Sequence, residues 1–174
     1  MRIFIGIDLD DEIRAKIARF IEGVSGFAPE ARWVRPESLH VTLKFIGEQN
    51  PEQVAAITQR LRQIASPATE INVSRFGFFP TAKAPRVFWI GIHAGPQLAQ
   101  LAGNIDASVA ELGIPREERA FSPHLTLARA GSAGKTSSGD PKCVRAMGLI
   151  LYSRRSKNGW RRWASVILGL TSAQ

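Results

Sequence analysis

The feature that most constrains this chain is a short string of residues that occurs twice, as LHVTLKFIG at 39–47 and as PHLTLARAG at 123–131. Both copies contain a histidine, an apolar residue, a threonine and a leucine in the same order, and a glycine follows at the same offset. The chain has three histidines, and two of them lie in this string. A coincidence of this kind has a probability on the order of one in 10⁵ from ordinary residue frequencies. We therefore interpret the two copies as equivalent parts of one site.

Both strings predict β-strands, and strand geometry indicates what each of them presents. Side chains alternate between the two faces of a strand, so His40 and Thr42 share one face, and so do His124 and Thr126. The apolar residues between them take the opposite face and anchor a core. Two such strands that face a common space would form a cleft lined by two imidazoles and two hydroxyls.

That set of groups suits in-line displacement at phosphorus. One imidazole removes a proton from the nucleophile and the other protonates the departing oxygen, and both titrate near neutral pH. The hydroxyls of Thr42 and Thr126 can hold the phosphoryl oxygens as charge develops. Two histidines do not complete a catalytic zinc shell, so we predict no metal. His93 has no Thr-Leu after it, and we predict no catalytic role for it.

The rest of the chain alternates between strand and helix signals, which predicts an α+β fold with helices covering sheet faces. Predicted strands span 2–8, 32–34, 39–47, 69–79, 86–93 and 124–129, with Pro80 and Pro85 bounding one connection. A first helix carries Ile13, Ile17, Phe20 and Ile21 and stops at Gly23; a second begins after Asn50 and ends near Ser66; a third runs from Gly95 to Gly113. The chain is predicted to end in a hairpin of 144–152 and 163–170.

Charge and cysteine content narrow the function and the compartment. The formal net charge of +8 favours nucleic acid as substrate or partner, although a basic surface also serves solubility alone. The single cysteine, Cys143, excludes an internal disulfide and predicts a buried structural thiol in a reducing cytoplasm. The acidic residues after the first apolar run argue against a secretory signal, and no segment has the 18 apolar residues of a membrane span.

Several successive landmarks, namely FIGIDLDDEIR, LHVTLKFIGE, PRVFWIGI, FSPHLTLAR and LILYSR, resemble the two-histidine phosphoesterase superfamily. The nearest resemblance is to its bacterial and archaeal RNA 2′,3′-cyclic phosphodiesterases, first named 2′-5′ RNA ligases, or LigT-like proteins. It covers nearly the whole chain. It implies one domain over residues 1–174 with two pseudo-symmetric lobes of mostly antiparallel sheet, helices on the outer faces and a central cleft.

The same resemblance implies an activity. RNA 2′,3′-cyclic phosphate ends, including those of tRNA fragments, would be hydrolysed to 2′-phosphomonoesters by a monomer without a cofactor. His40 would be the proton donor and His124 the proton acceptor, and a weaker reverse reaction would join RNA through a 2′-5′ linkage. The residues leave other readings open: a phosphodiesterase for small cyclic nucleotides, ADP-ribose cyclic phosphate or 2′-5′ oligoadenylates, or a module that binds RNA ends without catalysis.

The resemblance also implies that Arg129 binds the substrate phosphate. Strict alternation places Arg129 on the face of the strand opposite to that of His124. A strand end or a bulge would return its side chain to the cleft; otherwise it is an exposed arginine at a strand end. Alternation places Lys44 on the face of His40. For base stacking, the candidates are Phe76, Phe78 and Phe79, unless they fill the core. The 130–141 loop and the basic RRSKNGWRR segment at 154–162 are assigned no definite role, although the basic segment suits an RNA backbone as well as a solvated turn.

Overall fold

The computed structural model describes residues 2–65, 71–130 and 166–170 of the chain. The strands and helices of these residues are β1 (Arg2–Asp8), α1 (Asp11–Ser25), β2 (Arg32–Trp33), a 3₁₀ turn (Pro36–Ser38), β3 (His40–Glu48), α2 (Pro51–Leu61), β4 (Ile71–Thr81), β5 (Ala84–Ala94), α3 (Pro96–Ala110), β6 (His124–Arg129) and β7 (Val166–Leu170). The α+β class predicted from the sequence is confirmed.

The strands form one antiparallel sheet in the order β4-β5-β6-β3-β1-β7, and the two-residue β2 pairs with β6 beside this path. We call β7, β1 and β3 the first lobe, and β4, β5 and β6 with β2 the second lobe. Between the lobes, β3 and β6 are paired at one position, Val41 opposite Leu125. The two lobes therefore meet at a narrow junction, and each contributes one of the duplicated strings.

The ends of the helices follow local signals, and three ends differ from the predicted bounds; one of them is the end of α3, at Ala110 and three residues before Gly113. Asp10 and Asn50 cap α1 and α2, since their side chains accept hydrogen bonds from backbone N–H groups of the first turn. The first helix continues past Gly23 because the next residue, Val24, is fully buried in the core. The second ends at Leu61, five residues before the predicted end, because the chain there tightens into turns with i to i−3 hydrogen bonds.

A single apolar core lies between the sheet and the three helices. It contains alternate residues of β1, the inward faces of β3, β5 and β6, and the buried stripes of α1, α2 and α3. The helices therefore cover one face of the sheet. The duplicated histidines and threonines lie on the other face, because their strand neighbours Val41 and Leu125 are fully buried. Among the described helices, none has the length and apolarity that a membrane span needs.

Two details of the strands differ from the prediction or extend it. The strands β4 and β5 run past Pro80 and Pro85, which lie opposite each other near the turn. Proline has no N–H to donate. At a position whose paired residues are not hydrogen bonded to each other, two opposed prolines therefore remove no hydrogen bond between the strands. The predicted strand at 163–170 is present as β7 and pairs with β1. Its predicted hairpin partner, 144–152, lies outside the described residues.

Candidate active site

The two duplicated strings lie side by side on neighbouring strands. His40 and His124 are the first residues of β3 and β6. When the pairing of Val41 with Leu125 is continued by one residue in each direction, His40 lies opposite Thr126 and Thr42 lies opposite His124. The four side chains thus interleave on one face. The two histidines are diagonal neighbours, whose Cα atoms in a regular ladder are roughly 7–8 Å apart.

Each imidazole is fixed by the same hydrogen bond. The Nδ1–H of His40 donates to the carbonyl oxygen of Ser38, and that of His124 donates to the carbonyl oxygen of Ser122, both at 2.7 Å. Because a carbonyl can only accept, Nδ1 carries a proton in both rings. The Nε2 atoms are therefore the ring nitrogens available to accept or donate a proton. In both lobes, the accepting carbonyl belongs to the residue two positions before the histidine.

Around His40, an aromatic ring packs against the imidazole and Asp8 is its cross-strand partner. The ring of Phe4 stacks on the imidazole, with centroids 4.3 Å apart and planes 22° apart. Gly6 makes room for this stack, since a Cβ there would lie 3.3 Å from the ring of Phe4 and 3.4 Å from the imidazole. Burial lowers the pKa of His40 and the positive charge of Arg129 lowers it further, while the hydrogen bond to Ser38 and the negative charge of Asp8 oppose this; the net pKa is lowered. The neutral imidazole is therefore favoured in the free protein.

Around His124, two aromatic rings form a wall. Phe79 and Trp89 stack on each other at 5.0 Å, and both meet the imidazole edge-on, at 5.1 and 6.1 Å. Trp89 lies so close over Gly77 that a Cβ there would come within 2.4 Å of the indole ring. Of the three candidate phenylalanines, Phe79 is the one beside the site. The other two, Phe76 and Phe78, contact Phe88 in the core.

A β-bulge decides where Arg129 lies. Trp89 pairs with Thr126 and Phe88 with Ala128, so β6 has one extra residue at Leu127. The bulge reverses the alternation: Leu127 and Ala128 are both buried, and the exposed Arg129 takes the face of His124. The charge of Arg129 acts on the pKa of His40, which also places it near the histidines. Strict alternation from the sequence would have put it on the wrong face.

The same bulge occurs in β3 and corrects the prediction for Lys44. Ile5 pairs with Lys44 and Gly6 with Thr42, so Leu43 is the extra residue. Lys44 turns into the protein interior and away from the face of His40, so the predicted placement was wrong. Phe45 takes the cleft face instead, with 61% of its surface exposed. The sequence analysis missed Phe45, although it occupies the same offset in its string as Arg129 does.

Lys44 joins the two lobes through a buried ion pair. Its Nζ lies 2.5 Å from Asp106 Oδ1 in α3 and 2.6 Å from the carbonyl oxygen of Pro115. Arg116 Nε and the backbone N–H of Glu117 also donate to Asp106. Burial raises the pKa of the Asp106 carboxyl, but these hydrogen bonds outweigh it and hold the pKa below its ordinary value. These contacts hold residues 115–117, and the chain continues from there to His124 at the start of β6.

The remaining predicted residues lie away from this cluster or outside the described chain. His93 is exposed and pairs with Asn72 further along β5, where no second imidazole accompanies it. Within residues 2–65, 71–130 and 166–170, no group of three or more histidine, cysteine or acidic side chains is arranged to hold a metal ion. Cys143, the 130–141 loop beyond Ala130 and the basic 154–162 segment fall outside the described residues.

Comparison with known sequences gives a consistent result. The model of the LigT-like phosphoesterase family matches the chain over residues 7–89 and 90–146, so each stretch contains one of the duplicated strings. An RNA 2′,3′-cyclic phosphodiesterase of Archaeoglobus fulgidus is 36% identical over 129 residues, which are 74% of this chain and 72% of that protein. The protein of the same name from Escherichia coli is 34% identical over 137 residues, 78% of this chain and 75% of its own.

Solved structures resemble this one as well. The crystal structure of E. coli LigT complexed with 3′-AMP has a TM-score of 0.64 at 33% identity, covering 77% of this chain and 76% of the other. A crystal structure described as a phosphoesterase has a TM-score of 0.65 at 34% identity, covering 75% and 74%. Both similarities extend over the two lobes in sequence and fold.

Proposed function

Because the chain belongs to the LigT-like phosphoesterase family, we propose that it hydrolyses the 2′,3′-cyclic phosphate at an RNA end to a 2′-phosphomonoester. One observation carries the proposal. The pairing of Val41 with Leu125 sets His40, Thr42, His124 and Thr126 in an interleaved group on one face of the sheet. Two imidazoles with free Nε2 atoms and two hydroxyls are the groups that in-line attack on a cyclic phosphate requires.

Each group has a distinct role in the proposed reaction. His124 Nε2 takes a proton from water, and the water oxygen bonds to phosphorus. The bond from phosphorus to the 3′-oxygen breaks, and His40 Nε2 gives its proton to that oxygen. The hydroxyls of Thr42 and Thr126 and the guanidinium of Arg129 bind the non-bridging oxygens. One proton enters at His124 and one leaves at His40, so the net change is the addition of water.

The lowered pKa of His40 means that the substrate itself prepares the acid. In the free protein, burial favours the neutral imidazole, which cannot donate a proton from Nε2. A cyclic phosphate diester carries a negative charge, and an anion beside the ring raises the pKa of His40. The acid form of His40 is then favoured when the substrate is bound.

Aromatic side chains on the cleft face suit the nucleobase. Phe45 is exposed on the first lobe, and the Phe79 and Trp89 pair stands beside His124 on the second lobe. Stacking on an aromatic ring is a common way to bind an unpaired base. E. coli LigT, a relative, has been crystallised in complex with 3′-AMP, which supports a nucleotide ligand here. We assign the terminal base to Phe45.

Identification of the product tests the proposal. RNA with a 2′,3′-cyclic end is incubated with the protein in EDTA, and the monoester is identified by phosphorus NMR. We expect a 2′-phosphate. A predominant 3′-phosphate would require the donor and acceptor roles to be exchanged, and loss of activity in EDTA with recovery on adding metal would contradict a metal-independent reaction. The reverse joining of a 5′-hydroxyl RNA is expected as a slower reaction of the same preparation.

A further inference from the structure

Two arginines lie opposite each other at the end of the second lobe's site strand. The short strand β2 pairs with the end of β6, with Arg32 opposite Arg129 and Trp33 opposite Ala128. Trp33 faces the core, where its ring meets Phe88 edge-on at 6.0 Å. Its neighbour Arg32 therefore points to the other face of the sheet, which is the face of the histidines. Both arginines are exposed.

This pair is an unfavourable arrangement unless an anion binds there. Residues opposite each other in an antiparallel pair have Cα atoms roughly 4.5–5.5 Å apart, and like charges at such positions destabilise a sheet. In the part of the chain that the structure describes, neither Arg32 nor Arg129 forms an ion pair with a carboxylate. An oxyanion between two guanidiniums removes the repulsion and accepts several charge-assisted hydrogen bonds.

The position of the pair relative to the histidines indicates which anion this is. The bulge in β6 puts Arg129 on the face of the histidines, and its charge acts on His40, so we assign Arg129 to the phosphate under attack. Arg32 lies opposite Arg129 on the neighbouring strand, at the end of β6, roughly 15 Å along the strand from His124. When Arg129 binds the phosphate under attack, a substrate with one phosphate leaves Arg32 without a ligand. A substrate with a second phosphate, one nucleotide away from the first, can reach both arginines.

We propose that Arg32, next to Arg129, forms a second phosphate site, which binds the phosphodiester on the 5′ side of the terminal nucleotide. The inference rests on the proposed function and specifies its substrate class. The protein selects RNA ends over free mononucleotide cyclic phosphates, because only an RNA end carries this second phosphate. Guanidinium binding to a backbone phosphate is independent of sequence, so the selection applies whatever the last two bases of the RNA are.

The test compares two substrates: adenosine 2′,3′-cyclic phosphate, and the dinucleotide ApA with the same cyclic end. The measured quantity is the ratio of kcat/KM for the dinucleotide to kcat/KM for the mononucleotide. We expect the ratio to fall roughly tenfold in Arg32→Ala, as for the loss of one charged hydrogen-bonding partner, and to fall less in Arg32→Lys, which keeps a point charge. The salt dependence for the dinucleotide should weaken by about 0.7 in log–log slope.

Arg19→Ala is the matched control. Arg19 is an exposed arginine of α1, on the opposite side of the sheet, and its loss changes the net charge equally. The ratio should keep its wild-type value in this variant, and an equal fall there would reduce the effect to overall charge. An unchanged ratio in Arg32→Ala, or equal losses on both substrates, would overturn the inference.

Failure of the proposed function would be seen separately. If the wild-type protein cleaves neither substrate, the hydrolase proposal is wrong, and the second phosphate site is then judged by binding. The same ratio is measured from the Kd values of adenosine 2′-phosphate and of ApA ending in a 2′-phosphate. A roughly tenfold fall of this ratio in Arg32→Ala supports the site, and no change overturns it. Thermal unfolding of each variant verifies that the fold is retained.

Discussion

The two lobes present their histidines on nearly identical backbones but in different surroundings. In β3 and β6 alike, the first six residues run half-buried, buried, half-buried, buried, buried and exposed, with a bulge after the threonine. Each histidine donates Nδ1–H to the carbonyl two residues before it. The duplicated backbone therefore supplies two equivalent imidazoles, and any division of labour between them has to come from neighbouring side chains.

Those neighbours differ at three matched positions. Opposite the threonine stands Gly6 in the first lobe and Trp89 in the second. After the bulge, the first lobe exposes Phe45 where the second exposes Arg129. A stacked ring covers His40, whereas two rings meet His124 edge-on. At the position after the bulge, the first lobe thus offers an aromatic ring and the second lobe a cation, so the two halves of the site are not interchangeable.

The largest expected effect comes from removing either imidazole. His40→Ala and His124→Ala should each lower kcat by roughly 10² to 10⁴, because each removes one of two proton transfers. His93→Ala, on the same sheet but outside the group, should keep wild-type activity. Steady-state kinetics on an RNA cyclic end measures this. Near wild-type turnover in either variant would mean that one lobe performs the reaction alone.

The next largest effect concerns the stability of the fold and comes from Lys44. Lys44→Ala leaves the buried Asp106 with Arg116 and Glu117 N–H as its remaining partners, so we expect a loss of about 3 kcal/mol in the free energy of unfolding. Urea denaturation measures it. The double variant Lys44→Met with Asp106→Leu should recover most of the loss, since no buried charge is then left unpaired. If the double variant is no more stable than Lys44→Ala, the unpaired charge of Asp106 is not the cause of the lost stability.

Alanine variants of Phe45 and Arg129 separate substrate binding from catalysis. Phe45→Ala should cost about 1 to 2 kcal/mol of base stacking and raise KM roughly 5- to 30-fold with kcat almost unchanged. Arg129→Ala should instead lower kcat, because the guanidinium acts on developing charge. Phe27→Ala is the control, since Phe27 is another exposed phenylalanine, in the loop after α1. A fall in kcat alone for Phe45→Ala would contradict the stacking role.

The smallest expected effect is a difference in titration. Burial lowers the pKa of His40, so in the free protein this ring should titrate below its ordinary value of 6.5. A bound phosphate favours the charged ring and should raise that pKa. The basic limb of the kcat profile should then lie at higher pH than the basic limb of kcat/KM. NMR titration with and without inorganic phosphate measures both states, and a free-protein pKa above 6.5 would contradict the structure.

The sequence predicted the parts of this site that depend on strand periodicity. The repeated string identified His40, Thr42, His124 and Thr126 as one face of two strands, and the structure places them together. Periodicity failed after the threonines, because a bulge depends on how a partner strand aligns and leaves no mark in a single strand's pattern. Lys44 was misplaced for that reason, and Phe45 was missed. For Arg129, alternation predicted the opposite face, and the bulge puts it on the face of His124; its role in phosphate binding stays a prediction.

Trp89 and Asp106 could not have been predicted by such means. Trp89 lies on β5, the strand next to that of His124; its ring packs over Gly77 of β4 and also meets the imidazole, and nothing in PRVFWIGI indicates that contact. Asp106 is an acidic residue on the buried face of a helix, which periodicity alone would mark as an exception. Its partner Lys44 lies 62 residues away in the chain. Contacts of this range depend on the assembled fold.

The narrow junction between the lobes has a thermodynamic consequence. Where β3 and β6 meet at one pair of residues, backbone hydrogen bonds contribute little to keeping the halves at a fixed spacing. In the proposed function, a phosphate bound by both histidines would be a non-covalent crosslink between the halves. By mass action, ligand at 100 times its Kd should add about 2.7 kcal/mol to the stability of the folded chain. Occupancy of the cleft and resistance to denaturation are thus coupled, and a melting curve recorded with product reports on both.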